Sequence, residues 1–200
     1  DAKKMYEKAI QIDKNNKIRV MGQFSSPSLY ANNGIELISG HPTGDDIYCV
    51  TYDTAGVCSS IVYIIGNFEN YMHGNYISYD SLGNYYLSAS YRNKDLNING
   101  AFNLPLYNNI DIFITKFDAD DNFVWAKRLA GNFNDYENSI LVYDENKLLL
   151  AGNFNSIELS FSNDIKLTNN SLQYYDSEGF LANISDCNLS VKHSISLVSG

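Results

Sequence analysis

The chain of 200 residues is 44% hydrophobic and 14% aromatic with only 18% charged residues, a balance that excludes intrinsic disorder and predicts a folded domain. Its formal net charge is -9, and no basic stripe is present along which nucleic acid or an anionic membrane surface could bind. The longest apolar run, Ile61–Ile65, is far shorter than the roughly 20 residues that cross a bilayer, so membrane insertion is excluded as well.

The residue types favour strands joined by tight turns. The 16 tyrosines and 10 phenylalanines, together with Val, Ile and Thr, suit pleated surfaces that are half buried. Abundant Asn, Asp and Gly suit the turns between such strands. We therefore expect an all-β fold.

In chain order, the first predicted element is a strand within residues 2–10, although the same residues carry the strongest helix signal of the chain. The elements are clearest in the middle of the sequence, where strands are predicted over Asp111–Phe117, Phe123–Leu129, Ser139–Tyr143 and Lys147–Phe154. The second and fourth of these are apolar enough to be buried on both faces. Alternation in Ile157–Phe161 then predicts an extra hairpin within the Asn- and Ser-rich segment 155–175.

The sequence repeats itself. Gly66–Tyr71 matches Gly131–Tyr136, and Asp46–Asp53 matches Asp111–Asp118 at the same spacing, with a weaker third copy at Gly179–Ser185. A second block recurs in the same phase, as Val20–Phe24, Leu87–Tyr91 and Leu150–Phe154. These blocks predict about three copies of a four-stranded unit.

We predict one domain over residues 1–200, with units at approximately 1–45 (partial), 46–110, 111–177 and 178–200 (partial). Because the first and last units are partial, we expect the chain to be a fragment of a longer repeat array.

The order of residues from Asp111 to Phe154 resembles the bacterial β-propeller repeat called the SBBP repeat: Asp-x-Phe-x-x-Lys-Phe-Asp, a turn, Trp-Ala, Gly, Asp-Tyr, and Gly-x-Phe at the end. The first copy has Ser59-Ser60 near the place of Trp-Ala, and the third replaces the turn acids with Ser185-Asp186-Cys187. Related repeats occur in secreted and surface proteins of bacteria and in large DNA viruses. The resemblance implies a propeller-like array of four-stranded blades, without enzyme activity. Since propellers close with about four to eight blades, a compact three-fold, trefoil-like fold is the alternative.

Several residues are candidates for metal ligands or catalytic groups. The turn Asp118–Asn122 spaces its oxygens as calcium loops do, but Phe123 and Leu129 stand where such a loop needs glycine and glutamate, which favours an ordinary hairpin turn. The paired acids Asp45-Asp46 and Asp120-Asp121 are expected to form a solvated rim rather than a glycosidase pair. The histidines His41, His73 and His193 fall at unrelated phases of the repeat, with His73 expected in a loop. No catalytic, cofactor-binding or metal-binding residue is therefore predicted, and no cofactor.

The cysteines and aromatic residues leave alternatives open. Cys49 and Cys58 flank a predicted turn and either pair across it or are separate core residues, while Cys187 stands apart. Trp125 is expected in the core rather than as a platform for glycan. An interaction face is predicted from the tyrosines Tyr71, Tyr76, Tyr79, Tyr85, Tyr86 and Tyr107.

These observations lead to the hypothesis of a non-catalytic repeat module in an extracellular or cell-surface protein, or alternatively in a virus particle. Its partners are expected to be other protein chains or glycan, or its role is structural within a large assembly. The alternative is a carbohydrate-active or other hydrolytic propeller enzyme. That alternative requires convergent carboxylates or histidines on the innermost strands, which we expect to be rich in Ile, Phe, Thr and Tyr instead.

Overall fold

The computed structural model describes residues 4–39, 45–66, 71–92, 95–105, 109–162, 165–169, 177–185 and 190–197. Within these ranges the chain forms strands and turns but no helix, and hence no helix long and apolar enough to cross a membrane. The strands in chain order are β1 (Lys4–Ile12), β2 (Ile18–Ser25), β3 (Ser28–Tyr30), β4 (Glu36–Ile38), β5 (Asp46–Tyr52), β6 (Cys58–Gly66), β7 (Tyr71–Tyr79), β8 (Tyr85–Arg92), β9 (Asp95–Ile98), β10 (Phe102–Pro105), β11 (Asp111–Phe117), β12 (Phe123–Leu129), β13 (Asp135–Asp144), β14 (Lys147–Phe154), β15 (Glu158–Ser160), β16 (Lys166–Thr168), β17 (Glu178–Ser185) and β18 (Ser190–Leu197).

These strands confirm the all-β prediction. The bounds of β11, β12 and β14 agree with the sequence, residues 4–12 form a strand, and the hairpin expected within 155–175 appears as β15 and β16. Strand β13 begins at Asp135, four residues before its predicted start at Ser139. Among the described residues, the sheets do not close into a barrel or a propeller.

Three antiparallel sheets carry the fold, and we call them the first, second and third sheets. Their strand orders are β1-β2-β5-β6-β9-β10, β7-β8-β11-β12 and β13-β14-β17-β18. Each contains a four-stranded meander interrupted between its second and third strands by a short hairpin: β3-β4, β9-β10 or β15-β16. Each meander thus combines the last two strands of one sequence unit with the first two strands of the next.

The three sheets stack face to face. One core cluster lies between the first and second sheets and includes Met21, Ile64, Leu87 and Phe113, and another between the second and third sheets includes Ile114, Leu150 and Phe180. The second sheet is therefore covered on both sides, and its central strands β8 and β11 are buried almost throughout. By contrast, β12 is mostly half buried and β14 alternates between buried and half-buried residues, so the prediction of full two-sided burial was wrong for both strands.

The inserted hairpins make the stack wedge-shaped. The first strands of neighbouring sheets pack together, β1 against β7 and β7 against β13. On the opposite side, β9 pairs with β6 while β10 contacts β12, so this hairpin fills the space between the last strands of the first two sheets. The sheets are thus closer at their first strands than at their last strands.

A β-bulge recurs where the first and second strands of each sheet pair. The register shifts between Glu7 and Ala9, between Gly74 and Tyr76, and between Glu137 and Ser139. Gly22 and Gly152 stand opposite two of the bulges, and a Cβ atom there would lie 2.2 Å from the carbonyl oxygen of Tyr6 and 2.3 Å from that of Tyr136.

At the middle bulge the glycine is on the other strand. There Ala89 takes the place of the second-strand glycine, and Gly74 stands opposite it. Each bulge pair therefore contains one glycine.

Candidate interaction surface

The candidate calcium loop is a hairpin turn of a kind that the chain uses repeatedly. In four turns the Oδ1 atom of the first residue accepts hydrogen bonds from two backbone N–H groups; these residues are Asp13, Asp53, Asp80 and Asp118. Desolvation raises the pKa of Asp118, but hydrogen bonds from Asn122 and Asp120 outweigh it and leave that pKa below its usual value. Among the described residues, no group of three or more His, Cys, Asp or Glu side chains could hold a metal ion.

The same turn anchors the second sheet to the first. Arg19 is fully buried, and its Nη2 lies 2.9 Å from Asp121 Oδ1 while its Nη1 lies 3.2 Å from Asp13 Oδ2. The guanidinium also lies over the ring of Tyr85, 4.2 Å from its centroid, and the Tyr85 hydroxyl donates to Asp121 at 2.9 Å. Each of these side chains is held by other members of the same cluster, and the cluster therefore joins the two sheets.

The acidic pairs do not form the solvated rim that the sequence predicts. Asp120 is exposed as expected, but Asp121 faces Arg19 and Asp46 is fully buried. Asp46 accepts hydrogen bonds from Gly66 N at 3.1 Å and from Ser39 Oγ at 2.5 Å, and so fixes the loop around the first inserted hairpin. Asp111 and Glu178 occupy the corresponding buried position of the other two sheets, since each pairs with the last aromatic residue of the second strand.

Two buried carboxylates on β13 were not anticipated from the sequence. Asp135 accepts hydrogen bonds from Ser156 N at 3.2 Å and from Ser156 Oγ at 2.8 Å, and desolvation raises its pKa to about 7. The Glu137 side chain accepts from Ser90 Oγ on the second sheet, while its backbone N–H donates to the same oxygen at 3.1 Å. The alternation of Asp135 and Glu137 with Tyr136 at the start of β13 was the available signal.

A hydrolytic enzyme would need exposed carboxylates, and both of these are buried. Neither lines the open cleft of about 760 Å³ beside the β15-β16 hairpin. The charged groups of that cleft are engaged within the chain: Lys166 Nζ lies 2.7 Å from Glu158 Oε2, and Arg128 donates to the carbonyl oxygen of Pro105 at 3.1 Å. Burial lowers the pKa of Lys127 in the same cleft.

The cysteine and tryptophan alternatives are resolved in favour of packing. Cys49 and Cys58 are free and buried, and they belong to core clusters on opposite faces of the first sheet. Burial raises the pKa of Cys49 to about 12. Trp125 packs against the cluster between the second and third sheets, with its ring centroid 6.1 Å from that of Tyr86.

The predicted tyrosine face is wrong for its central members. Tyr85 and Tyr86 are fully buried because their strand lies in the middle of the stack, whereas exposed tyrosines are found at Tyr6, Tyr30 and Tyr143. His73 lies within β7 rather than in a loop. The side chains of His73, His193 and Tyr71, and the residues His41, Tyr107 and Cys187, fall outside the described part of the structure.

The two outer faces of the stack carry exposed apolar residues at positions that are buried inside it. We call the outer side of the first sheet the front face. Ile10 lies on it with 68% of its surface exposed, while its counterparts Ile77 and Ile140 are 3% and 6% exposed. The three correspond because they pair with Val20, Leu87 and Leu150, one in each repeat of the second strand.

The outer side of the third sheet, which we call the back face, likewise exposes an apolar residue whose counterparts in the other two sheets are buried. Leu181 is 39% exposed there, and its counterparts Cys49 and Ile114 are each 1% exposed. Leu141 and Tyr143 are also exposed on this sheet, and the Tyr143 hydroxyl donates to Asn183 at 3.0 Å. The front face adds exposed Met5 and Ile12 and a groove of about 150 Å³ lined by Met5, Val20, Tyr30, Tyr48, Val50 and Ile61, among others.

In comparisons with known proteins, neither a protein-family model nor a curated protein matches the chain.

Proposed function

We propose that the chain is a non-catalytic, β-propeller-like repeat module that works by binding other protein chains through its front and back faces and the adjoining loops. The observation that carries the proposal is the exposure of Ile10 and Leu181 at positions that are buried wherever another sheet is present. Exposed apolar patches of this kind mark protein contacts. The setting that fits is a secreted, surface or virion protein in which such modules are joined.

The propeller-like part of the proposal is supported by the wedge. The four-stranded antiparallel meanders pack face to face and lie closer together at their first strands than at their last strands. The blades around the axis of a propeller are arranged in the same way. The hydrolytic alternative gains less support, because Asp135 and Glu137 are buried and are engaged with Ser156 and Ser90.

Photo-crosslinking tests the proposal. A benzophenone amino acid is placed at Ile10, Leu181 or Leu82, and the protein is irradiated in an extract of the organism that makes it. Leu82 is the control because it is exposed to a similar degree but belongs to a turn of the second sheet. Protein adducts are expected at positions 10 and 181 and not at 82. Equal yields at the three positions would show that these faces do not contact protein.

A further inference from the structure

The open cleft beside the β15-β16 hairpin arises where one hairpin departs from the pattern of the repeat. The second hairpin joins the first sheet through three paired residues of β6, Ile64–Gly66. The third hairpin meets the end of β12 through a single bridge between Ala130 and Ser160. The cleft of about 760 Å³ lies along this junction, and the described residues that line it belong to β12, the hairpin and the segments beside them. It is therefore separate from the strands that form the front and back faces.

Basic side chains gather in this cleft, although the chain as a whole has a net charge of -9. Lys127, Arg128 and Lys166 all line it, and Glu158 supplies the one carboxylate among the described lining residues. The corresponding positions beside the second hairpin hold uncharged residues, namely Val62, Tyr63 and Asn103.

The strand and hairpin registers establish this correspondence. Lys127 and Val62 are equivalent because each pairs with the fourth residue of the strand before it. Lys166 and Asn103 are equivalent because each pairs with the hairpin residue that meets the preceding sheet. The basic character therefore belongs to this cleft and is not a general property of the repeat.

Buried and local hydrogen bonds fix the walls of the cleft. The fully buried Asp135 accepts from both Ser156 N and Ser156 Oγ, and the same Oγ accepts from Phe133 N at 2.9 Å. Beside them, Ile157 N donates to Asn132 Oδ1 at 2.9 Å. A site whose walls are already held in place loses little conformational freedom when a ligand binds.

The charges of the cleft favour an acidic ligand. Lys166 and Glu158 are both nearly half exposed, and ion pairs at such exposure contribute little, so a ligand carboxylate can replace Glu158. Arg128 Nη1 lies 3.7 Å from Asp111 Oδ2, and its guanidinium carries five N–H donors in all. Burial lowers the pKa of Lys127, and a ligand carboxylate beside its ammonium group favours the charged form.

The shape and chemistry of the lining favour a peptide over a sugar. Strand β12 is at the edge of the second sheet, where an extended peptide can add a strand. Exposed Ile157 offers an apolar contact, whereas Phe161, the one aromatic residue among the described lining residues, is buried and presents no ring on which a sugar could stack. We propose that the cleft binds an acidic, extended peptide segment of a partner protein, at a site separate from the front and back faces.

Nuclear magnetic resonance of the isotope-labelled chain tests the proposal. The probe is an unlabelled peptide of about six residues, the usual length of a strand, in which Glu alternates with Val. The amide signals of Lys127, Ser160 and Lys166 are expected to shift as this peptide is added, and its affinity should fall as the salt concentration rises. The same peptide with Gln in place of Glu should bind at least about tenfold more weakly.

Substitutions separate binding in the cleft from general attraction to charge. Lys127→Gln should weaken binding about tenfold, because the ammonium group that it removes is half buried, whereas exposed Lys166→Gln should weaken it about threefold. Lys127→Arg keeps the charge and should retain binding. Lys147→Gln is the matched control, because Lys147 is similarly exposed and pairs with Asp144 as Lys166 pairs with Glu158. This control should leave the affinity unchanged.

Three results would overturn the proposal: equal binding of the Glu and Gln peptides, an equal loss of affinity in the Lys127, Lys166 and Lys147 variants, or a heparin oligosaccharide that binds the cleft when the Glu peptide does not. The amide spectrum of each variant shows whether it is folded, and Lys166→Gln decides the matter if Lys127→Gln unfolds. The proposed function is tested separately, by cross-linking at Ile10 and Leu181. A cleft that fails to bind the peptide therefore leaves that function standing.

Discussion

At the scale of single residues, the chain places acidic side chains at the starts of strands and in the turns between strands, and several of these side chains are buried. Asp46, Asp111 and Asp135 are fully enclosed, yet in sequence they look like the exposed acids Asp53 and Asp120. Burial depends on which sheet covers a residue, and neighbouring residues do not encode this. The turn function of Asp118 could be predicted from the sequence because it depends only on local backbone groups.

Asp135 should make folding depend on pH. Its pKa is raised to about 7 in the folded chain from 3.8, so between these values the folded state holds a proton that the unfolded state has lost. This contribution to stability is greatest at low pH, decreases as pH rises from about 4 to 7, and is constant above 7. In Asp135→Asn the side chain is always neutral. Between pH 5 and 8 the unfolding free energy of wild type relative to this variant should fall by about 2–3 kcal/mol.

Urea unfolding followed by circular dichroism at several pH values checks this prediction, with exposed Asp120→Asn as the control. A difference between wild type and Asp135→Asn that stays constant across this pH range would mean that Asp135 is ionised throughout.

The Arg19 cluster gives a second prediction at this scale. Asp121→Asn keeps the left-handed turn conformation, which asparagine tolerates at a φ of 66°, but removes the charge that faces buried Arg19. We expect a loss of about 2 kcal/mol in unfolding free energy, because breaking a buried pair leaves a charge without its full compensation. Asp120→Asn removes an exposed carboxylate 3.6 Å from Lys17 Nζ and should change stability by less than about 0.5 kcal/mol. Thermal and urea unfolding measure both variants, and an equal loss of stability in Asp121→Asn and Asp120→Asn would contradict this prediction.

At the scale of elements, strands with local signals were predicted well. Alternation and Asp-rich turns gave β11, β12 and β14 with their observed bounds. The pairing of β9 with β6 was not predicted, because it joins residues distant in sequence whose proximity depends on sheet packing. The start of β13 was missed because its first residues precede the bulge between Glu137 and Ser139, where the alternation breaks.

The recurrent bulge gives an element-level prediction. Gly152→Ala should destabilise the chain by about 2–3 kcal/mol, because the new Cβ would lie 2.3 Å from the Tyr136 carbonyl oxygen and 2.6 Å from the Phe180 ring. Ala89→Gly, the opposite change at the corresponding position, should cost only about 1 kcal/mol, since it creates no clash. Thermal unfolding of both variants measures the difference. A Gly152→Ala chain as stable as Ala89→Gly would show that the bulge adapts freely.

At the scale of the whole molecule, the internal repeat predicted about three four-stranded units, and the structure groups their strands into sheets differently. The sequence phase places β5, β6, β7 and β8 in one unit, whereas the structure divides them between the first and second sheets. Similar blocks reveal a period without revealing where each period begins. The front and back faces could not be identified from sequence either, since Ile10 and Ile77 differ only in whether another sheet covers them.

Because the described core clusters join the second sheet to both of its neighbours, stability should be highest in the middle of the stack. Strands β8 and β14 are matched: both have eight residues and both are the second strand of their sheet, but β8 is covered on two faces and β14 on one. In native-state hydrogen exchange, amides of β8 should exchange about tenfold or more slowly than those of β14. This difference reflects unfolding of the third sheet while the other two remain packed. Equal protection of the two strands would instead show that all three sheets unfold together, and that the cover of a neighbouring sheet adds nothing to the stability of an individual one.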